Sequence, residues 1–356
     1  MNFDLTEDRQ MLADTLKRYL AEQYDIETRN SVAYDMPCHS PDKWAEMAEL
    51  GIPGALVTEE AGGFGGAGFD ISVVFQAIGG TLCPEPFLGT LMASRLLAAA
   101  GADQEALVDG STKYAVGVSE IDAPYNVDFT ETTATAAGDA HTLQGRKCAV
   151  YGGADADVFL VVAKLDGALA VFSVNAADAN VVAYPMIDGG SGAEVVLDDT
   201  PARLVLADAK AAIEDAINAG RLALCAEAVG AMDATYAILL DYLKTRKQFG
   251  VAIGSFQVLQ HRTVDLLTEI EQSRSIVVSA AAGLNDDDAT IKVAMAKNLI
   301  GRAARQVAEE AIQMHGGIAM TWEYAVSHYA KRLIMIDHQL GDTDHCLSQI
   351  SASYAA

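Results

Sequence analysis

The 356-residue sequence predicts a mostly helical α+β chain in three parts. These are an N-terminal helical bundle over residues 1–110, a small central β-barrel or sandwich over 111–207, and a C-terminal four-helix bundle over 208–356. Three observations predict this. Apolar residues recur at helical spacing to about residue 105, short β-type runs replace them from about 111, and helical spacing returns from about 208. With 51% hydrophobic and 21% charged residues, the composition is that of a globular chain long enough for two or three domains.

In the first part, Thr6 precedes Glu7 and Asp8 as a helix cap, and Met11, Leu12, Leu16, Tyr19 and Leu20 share one face. Ser40–Pro41 reads as a cap followed by proline at the first helical position, opening a helix with Trp44, Met47 and Leu50 that ends at Gly51. Gly63, Gly65 and Gly68 fit the dinucleotide pattern G-x-G-x-x-G. That pattern needs a strand before it, and here a helix and Pro53 precede it, so it reads as a glycine-rich loop. Leu88 to Ala100 closes this bundle. The runs from KYAVGVSE to ARLVL are short, β-type and punctuated by Gly, Asp, Asn and Pro, without βαβ units. The last part holds helices at Ile213–Lys244, Ser255–Gly283, Asp288–Met314 and Trp322 to about Leu340, with short links.

A net charge of −25 disfavours nucleic acid and anionic membranes as partners, so an anionic ligand needs a locally basic pocket. Five scattered cysteines, Cys38, Cys83, Cys148, Cys225 and Cys346, form no motif and point to a reducing cytosol, with Cys83, Cys148 and Cys225 as core filler. The start MNFDLTEDRQ is acidic and enters a helix at once, which gives no expectation of a signal peptide. No apolar run approaches a membrane span of about 20 residues. His338 and His345 have no supporting ligand spacing, so no metal is expected.

The cations cluster at one place. Lys244, Arg246 and Lys247 crowd the end of the first long C-terminal helix in KTRKQFG, followed by Gln257, Gln260 and His261 on the next helix. Arg246 is suited to a bidentate grip on phosphate, unless it is a solvated cation. Downstream, QMHGG ends a long helix at Gly316–Gly317. There the backbone can approach a ligand closely, unless the pair is only a helix cap.

Taken together, RKQFG, the Gln-bearing helix and QMHGGIAM resemble the C-terminal domain of the acyl-CoA dehydrogenase flavoprotein family. The resemblance covers nearly the whole chain and is sharpest over about 215–345. It implies FAD as cofactor, an acyl-CoA substrate and an electron-transfer flavoprotein as electron acceptor. It implies that Arg246, Gln248, Phe249, Gln257, Gln313, Gly316, Gly317 and, more weakly, Thr343 hold the pyrophosphate and adenylate end of an FAD seated mainly on a neighbouring subunit. It places Arg221 in the CoA cleft, with an ion pair to Glu214 or a neighbouring helix as the alternative.

Two departures stand out. In the central domain, Tyr151–Gly152–Gly153 and Val118–Ser119–Glu120 replace the polar and aromatic residues the family turns towards the flavin ring. The two slots that hold the family's catalytic glutamate fall on Gly341 and Gly220, leaving Asp342 and Asp344 as stand-ins offset by one and three residues. A trimmed ring domain with intact adenylate-end motifs, and the GDTDH tail, resemble the small subunit of heteromeric, pimeloyl-CoA dehydrogenase-type members. That implies a larger homologous partner in an α2β2 assembly. The alternatives are a complete homo-oligomer using Asp342 or Asp344, and a structural subunit that keeps the fold for assembly alone.

Overall fold

A computed structural model describes residues 5–137 and 140–355. Its first helices are α1 (Glu7–Gln23), α2 (Ile26–Ala33), α3 (Pro41–Glu49), α4 (Gly68–Thr81), α5 (Phe87–Ala99) and α6 (Glu105–Val108). Seven strands follow: β1 (Tyr114–Gly117), β2 (Thr133–Ala137), β3 (Ala140–Tyr151), β4 (Val158–Leu165), β5 (Ala168–Asn175), β6 (Asn180–Pro185) and β7 (Ser191–Leu206). Then come α7 (Lys210–Thr245), the two-residue strands β8 (Lys247–Gln248) and β9 (Val251–Ala252), α8 (Gln257–Ala282), α9 (Ala289–His315), α10 (Ala325–His338) and α11 (Thr343–Ala355). Gly138, at the end of an expected strand run, lies outside the described residues.

The chain divides into two compact units. One takes the described residues of Met1–Arg29, Ile71–Cys83 and Arg221–Ala356, the other Asn30–Asp70 and Pro84–Gly220. In the second unit, β2, β3, β7, β5 and β4 pair antiparallel in that order, and a parallel bridge from Lys164 back to Thr133 closes the ring. β1 flanks β4 in parallel and β6 flanks β7. Alternate residues point inward: Phe159, Val161 and Ala163 on β4, Ala170, Phe172 and Val174 on β5, and Val195 and Leu197 on β7 fill the interior. Register shifts in β3 between Leu143 and Gly145 and between Lys147 and Val150 bend it around the barrel.

The expected caps form. Thr6 Oγ1 accepts from Arg9 N, and Ser40 Oγ accepts from Lys43 N with Pro41 at the first helical position. In the first unit, α4 and α7 touch backbone to backbone, because a Cβ on Gly79 would overlap the Glu227 carbonyl and one on Gly230 the Gln76 carbonyl. Tyr329 of α10 donates to Gly80 O at 2.6 Å, and Arg332 grips Glu227 through two nitrogens. Contrary to expectation, α7 is long and apolar enough to cross a membrane by length and composition, but 72% of its apolar window is buried within the protein. Cys148 is half-buried rather than core, and all five cysteines are free. The helix α11 lies beyond the last expected helix, which ended at about Leu340, and is an element the sequence pattern did not assign.

Candidate functional site

The site grows from the C-terminal ends of α7 and α9, both in the first unit. α7 breaks after Thr245, and the chain turns through the β8–β9 hairpin, whose central residues Phe249 (φ +54°) and Gly250 (φ +81°) are both left-handed. That is the geometry of a type I′ turn, and it holds Phe249 out with 92% of its surface exposed. Arg246 stands at the hairpin's root, where Ile253 N donates to its carbonyl at 2.9 Å. Its guanidinium is exposed and, like those of Arg302 and Arg305, makes no ion pair with a described residue, whereas Arg95, Arg146, Arg262, Arg274 and Arg332 meet carboxylates. A guanidinium left unpaired at the root of this hairpin has the geometry and charge to suit an anion. Beyond the hairpin α8 opens at Gln257 with no side-chain cap, so its first N–H groups add positive potential beside it. Gln248 is exposed, its Nε2 donating to Lys247 O.

Tyr242, one turn before Arg246, ties this end to α9. Its hydroxyl donates to the His315 carbonyl at 3.1 Å, and its ring lies 4.5 Å from the His315 imidazole. Immediately beyond, Gly316 (φ +69°) and Gly317 are exposed, and a Cβ on either would meet nothing within 4 Å. Their backbone is open to a ligand, and Gln313 is exposed on the preceding turn. The structure thus brings RKQFG and QMHGG to one end of the helical unit. Burial holds the His315 pKa below its ordinary value, so the ring beneath the glycines is neutral.

The glutamate slot at Gly341 has another occupant. Gly341 is buried at φ +120°, and a Cβ there would stand 2.8 Å from Arg221 Nη2 and 3.0 Å from the His345 ring. Arg221 is 3% exposed; its Nε donates to Leu340 O at 2.6 Å and its Nη1 to Gln349 Oε1 at 3.0 Å. The structure therefore buries Arg221 against the Leu340–Gly341 turn. Beside it the fully buried Lys297 ammonium donates to the carbonyls of Ile336, Asp337 and Gly341 at 2.8–2.9 Å. Burial pulls the pKa of both cations down and pushes that of the neighbouring Cys225 thiol up to about 12.

Asp342 Oδ1 accepts from His345 N at 2.8 Å, so this half-buried carboxylate caps α11. Asp344 is exposed on the first turn of α11. Thr343 donates its hydroxyl to Asp337 Oδ1 at 2.8 Å and is held within the α9–α11 contact rather than beside Arg246.

In the second unit the segments expected to face a flavin ring are filled from within. Glu120 is buried; its Oε1 accepts from Lys147 Nζ (2.6 Å), Thr132 Oγ1 and Thr132 N, and its Oε2 from Glu131 N. Burial opposes its ionisation, but the Lys147 ammonium and these bonds hold its carboxyl below the usual range. Gly152 and Gly153 pack without side chains against Pro86 and Ala193. Two contributors escaped the sequence reading. Tyr242 carried a usable signal, lying four residues before Arg246 on one helix face; Lys297, on an alanine-rich helix, carried none.

The family model of the acyl-CoA dehydrogenase C-terminal domain matches residues 210–353, and that of the N-terminal domain matches residues 6–106. The chain is 32% identical over 334 residues to the acyl-CoA dehydrogenase IpdE2 of Mycobacterium tuberculosis, covering 92% of this chain and 91% of that one. Its fold matches a chain of the ChsE4–ChsE5 complex from Mycobacterium tuberculosis with a TM-score of 0.92 at 24% identity, over 100% and 99% of the two chains. It also matches a chain of a Tcur3481–Tcur3483 steroid ACAD variant with a TM-score of 0.90 at 26% identity, over 98% of each. With both end domains matched and a relative of this identity aligned along nearly its whole length, the chain belongs to the acyl-CoA dehydrogenase family of FAD-dependent CH–CH oxidoreductases.

Proposed function

We propose that this chain is the small subunit of a heteromeric acyl-CoA dehydrogenase. It would clamp the pyrophosphate and adenylate end of an FAD whose ring, and whose catalytic carboxylate, are carried by a larger homologous partner. The observation that carries this reading is the exposed, unpaired Arg246 guanidinium on a chain of net charge −25. The uncapped start of α8 and, across the Tyr242–His315 bond, the open Gly316–Gly317 backbone complete the cradle. These residues fit the anionic end of FAD: Arg246 would take the diphosphate in a bidentate grip, the glycine N–H groups would reach its oxygens, and Phe249 would lie against the adenylate. Gln248, Gln257 and Gln313 would supply neutral donors at the rim.

The ring end does not fit in the same way. The Glu120 carboxylate is consumed by Lys147, Thr132 and Glu131, and Gly152–Gly153 offer no side chain. FAD, when bound, accepts the hydride that leaves the β-carbon of the acyl thioester. The α-proton must pass to a carboxylate, and Arg221 and His345 pack directly onto Gly341, where that group would project. Asp342 is committed to its helix cap, so proton abstraction is assigned to the partner. Arg221 acts here by holding the Leu340–Gly341 turn rather than by touching CoA. The pairing of two named chains in the ChsE4–ChsE5 complex and in the steroid ACAD supports a heteromer, and the latter's name supports a ring-bearing acyl-CoA. An electron-transfer flavoprotein would take up the electrons.

The test is to purify the chain alone and with a co-expressed larger homologue, and to record visible spectra and acyl-CoA-dependent dye reduction. The reading expects flavin and turnover only in the pair. A lone chain that holds one FAD per polypeptide and oxidises an acyl-CoA overturns it.

A further inference from the structure

We infer that Tyr242 is a positioning residue that fixes the separation of the two halves of the cradle, and so sets its affinity for the dinucleotide diphosphate. This rests on the reading of Arg246 and Gly316–Gly317 as the diphosphate contacts.

Those contacts sit at the ends of different helices, about 70 residues apart in sequence. Between them the structure offers a short path. Arg246 N donates to the Tyr242 carbonyl at 2.8 Å, which closes the last turn of α7 onto that residue. The Tyr242 hydroxyl donates to the carbonyl of His315 at 3.1 Å. His315 is the last residue of α9 and immediately precedes Gly316. The last carbonyls of a helix have no partner within it, so Tyr242 supplies a bond that α9 lacks.

The rings add a second constraint. The Tyr242 ring lies 4.5 Å from the His315 imidazole and 6.5 Å from Tyr324, with His315 and Tyr324 5.2 Å apart. His315 Nδ1 is bonded to Ala311 O at 2.8 Å, which locks the imidazole onto its own helix. The link between the helices is therefore neutral, built from one hydroxyl and a cluster of three rings in tilted and edge-on contact. Without the hydroxyl, the rings can slide and the glycine N–H groups can turn away from Arg246. A grip by two separate groups loses affinity when either shifts by a fraction of an ångström.

The experiment uses the assembled holoenzyme and three single variants. Tyr242→Phe keeps the ring on His315 and removes only the hydroxyl. Tyr329→Phe removes a hydroxyl bonded to Gly80 O rather than to the end of α9. Arg246→Ala removes the guanidinium. FAD dissociation constants are read from recovered flavin fluorescence at two salt concentrations, with thermal midpoints alongside. Tyr242→Phe is expected to weaken FAD about 3–10-fold, the loss of one neutral hydrogen bond, by the same factor at both salts. Arg246→Ala is expected to weaken it more, with a salt-dependent factor. Tyr329→Phe should lower the midpoint and leave FAD affinity unchanged.

Unchanged FAD affinity in Tyr242→Phe, with Arg246→Ala weakened, overturns the positioning role alone. Unchanged affinity in Arg246→Ala overturns the cradle reading itself. Equal weakening by Tyr242→Phe and Tyr329→Phe reduces Tyr242 to a general structural residue and also overturns the inference.

Discussion

Gly341→Glu places a carboxylate at the position where the resemblance implies the family's base, and it should not create a dehydrogenase. Gly341 lies at φ +120°, a conformation that costs a residue with a side chain about 1–3 kcal/mol. The new Cβ would also start 2.8 Å from Arg221 Nη2 and 3.0 Å from the His345 ring. Relieving that crowding costs about 1–3 kcal/mol more, as in other overpacked cores. Arg221 cannot swing aside freely, because Leu340 O and Gln349 Oε1 hold it and it is buried. Any carboxylate that did fit would face a guanidinium and be held ionised and paired, which weakens it as a base.

The expected loss is about 2–6 kcal/mol, a fall in thermal midpoint of about 5–20 °C for a unit of this size. Differential scanning fluorimetry of the complex reads the midpoint, and dye reduction by the lone variant reads activity. A variant that melts with the parent and oxidises acyl-CoA without a partner would refute the sealed slot.

Other expectations follow from single contacts. Lys147→Met should cost about 3–5 kcal/mol in chemical denaturation, because it strands the buried Glu120 carboxylate; the double variant with Glu120→Gln should cost less than the two singles combined. His39 is buried between Glu85 and Asp155, each 2.9 Å from one ring nitrogen. Burial opposes its charge, but the two carboxylates outweigh it and raise its pKa. Its stabilising contribution should thus be complete below about pH 6.5 and fade as pH climbs through the raised value; denaturation of His39→Gln against the parent across pH 5.5–8.5 checks this, and a gap that widens with pH contradicts it. Asp342→Ala should lower the midpoint by the loss of a cap, about 1 kcal/mol, while Asp342→Asn retains both stability and turnover of the complex. Lost turnover in Asp342→Asn with flavin still bound would favour a complete homo-oligomeric enzyme.

How much of this was legible in the sequence depends on the kind of signal. The helix–barrel–helix order was readable because the apolar period changes from helical to alternating and back. Arg246 and Gly316–Gly317 were readable for a local reason: a cation cluster on an acidic chain and a glycine pair at a helix end are visible without partners. The surroundings of Gly341 were not. The glycine itself is visible, but Arg221 bonds Leu340 O across 119 positions of sequence, and a buried arginine satisfied by carbonyls leaves no charge pattern. A solvent-facing cation and a buried one read alike, so the sequence alone did not show that Arg221 is buried. The helix α11 was missed because its apolar residues are sparse and Leu347 stays 51% exposed. The apolar stretch of α7 was underrated because much of its hydropathy comes from small alanines rather than from an unbroken run of large apolar side chains.

The division of labour between two chains is tested most directly by the flavin content of the purified chain, alone and with its larger homologue, measured from the visible absorption spectrum. Colourless lone protein, and a complex whose FAD is weakened by Arg246→Ala on this chain, is the predicted result. Stoichiometric FAD on the lone chain, or a complex that holds FAD equally well without Arg246, would contradict it.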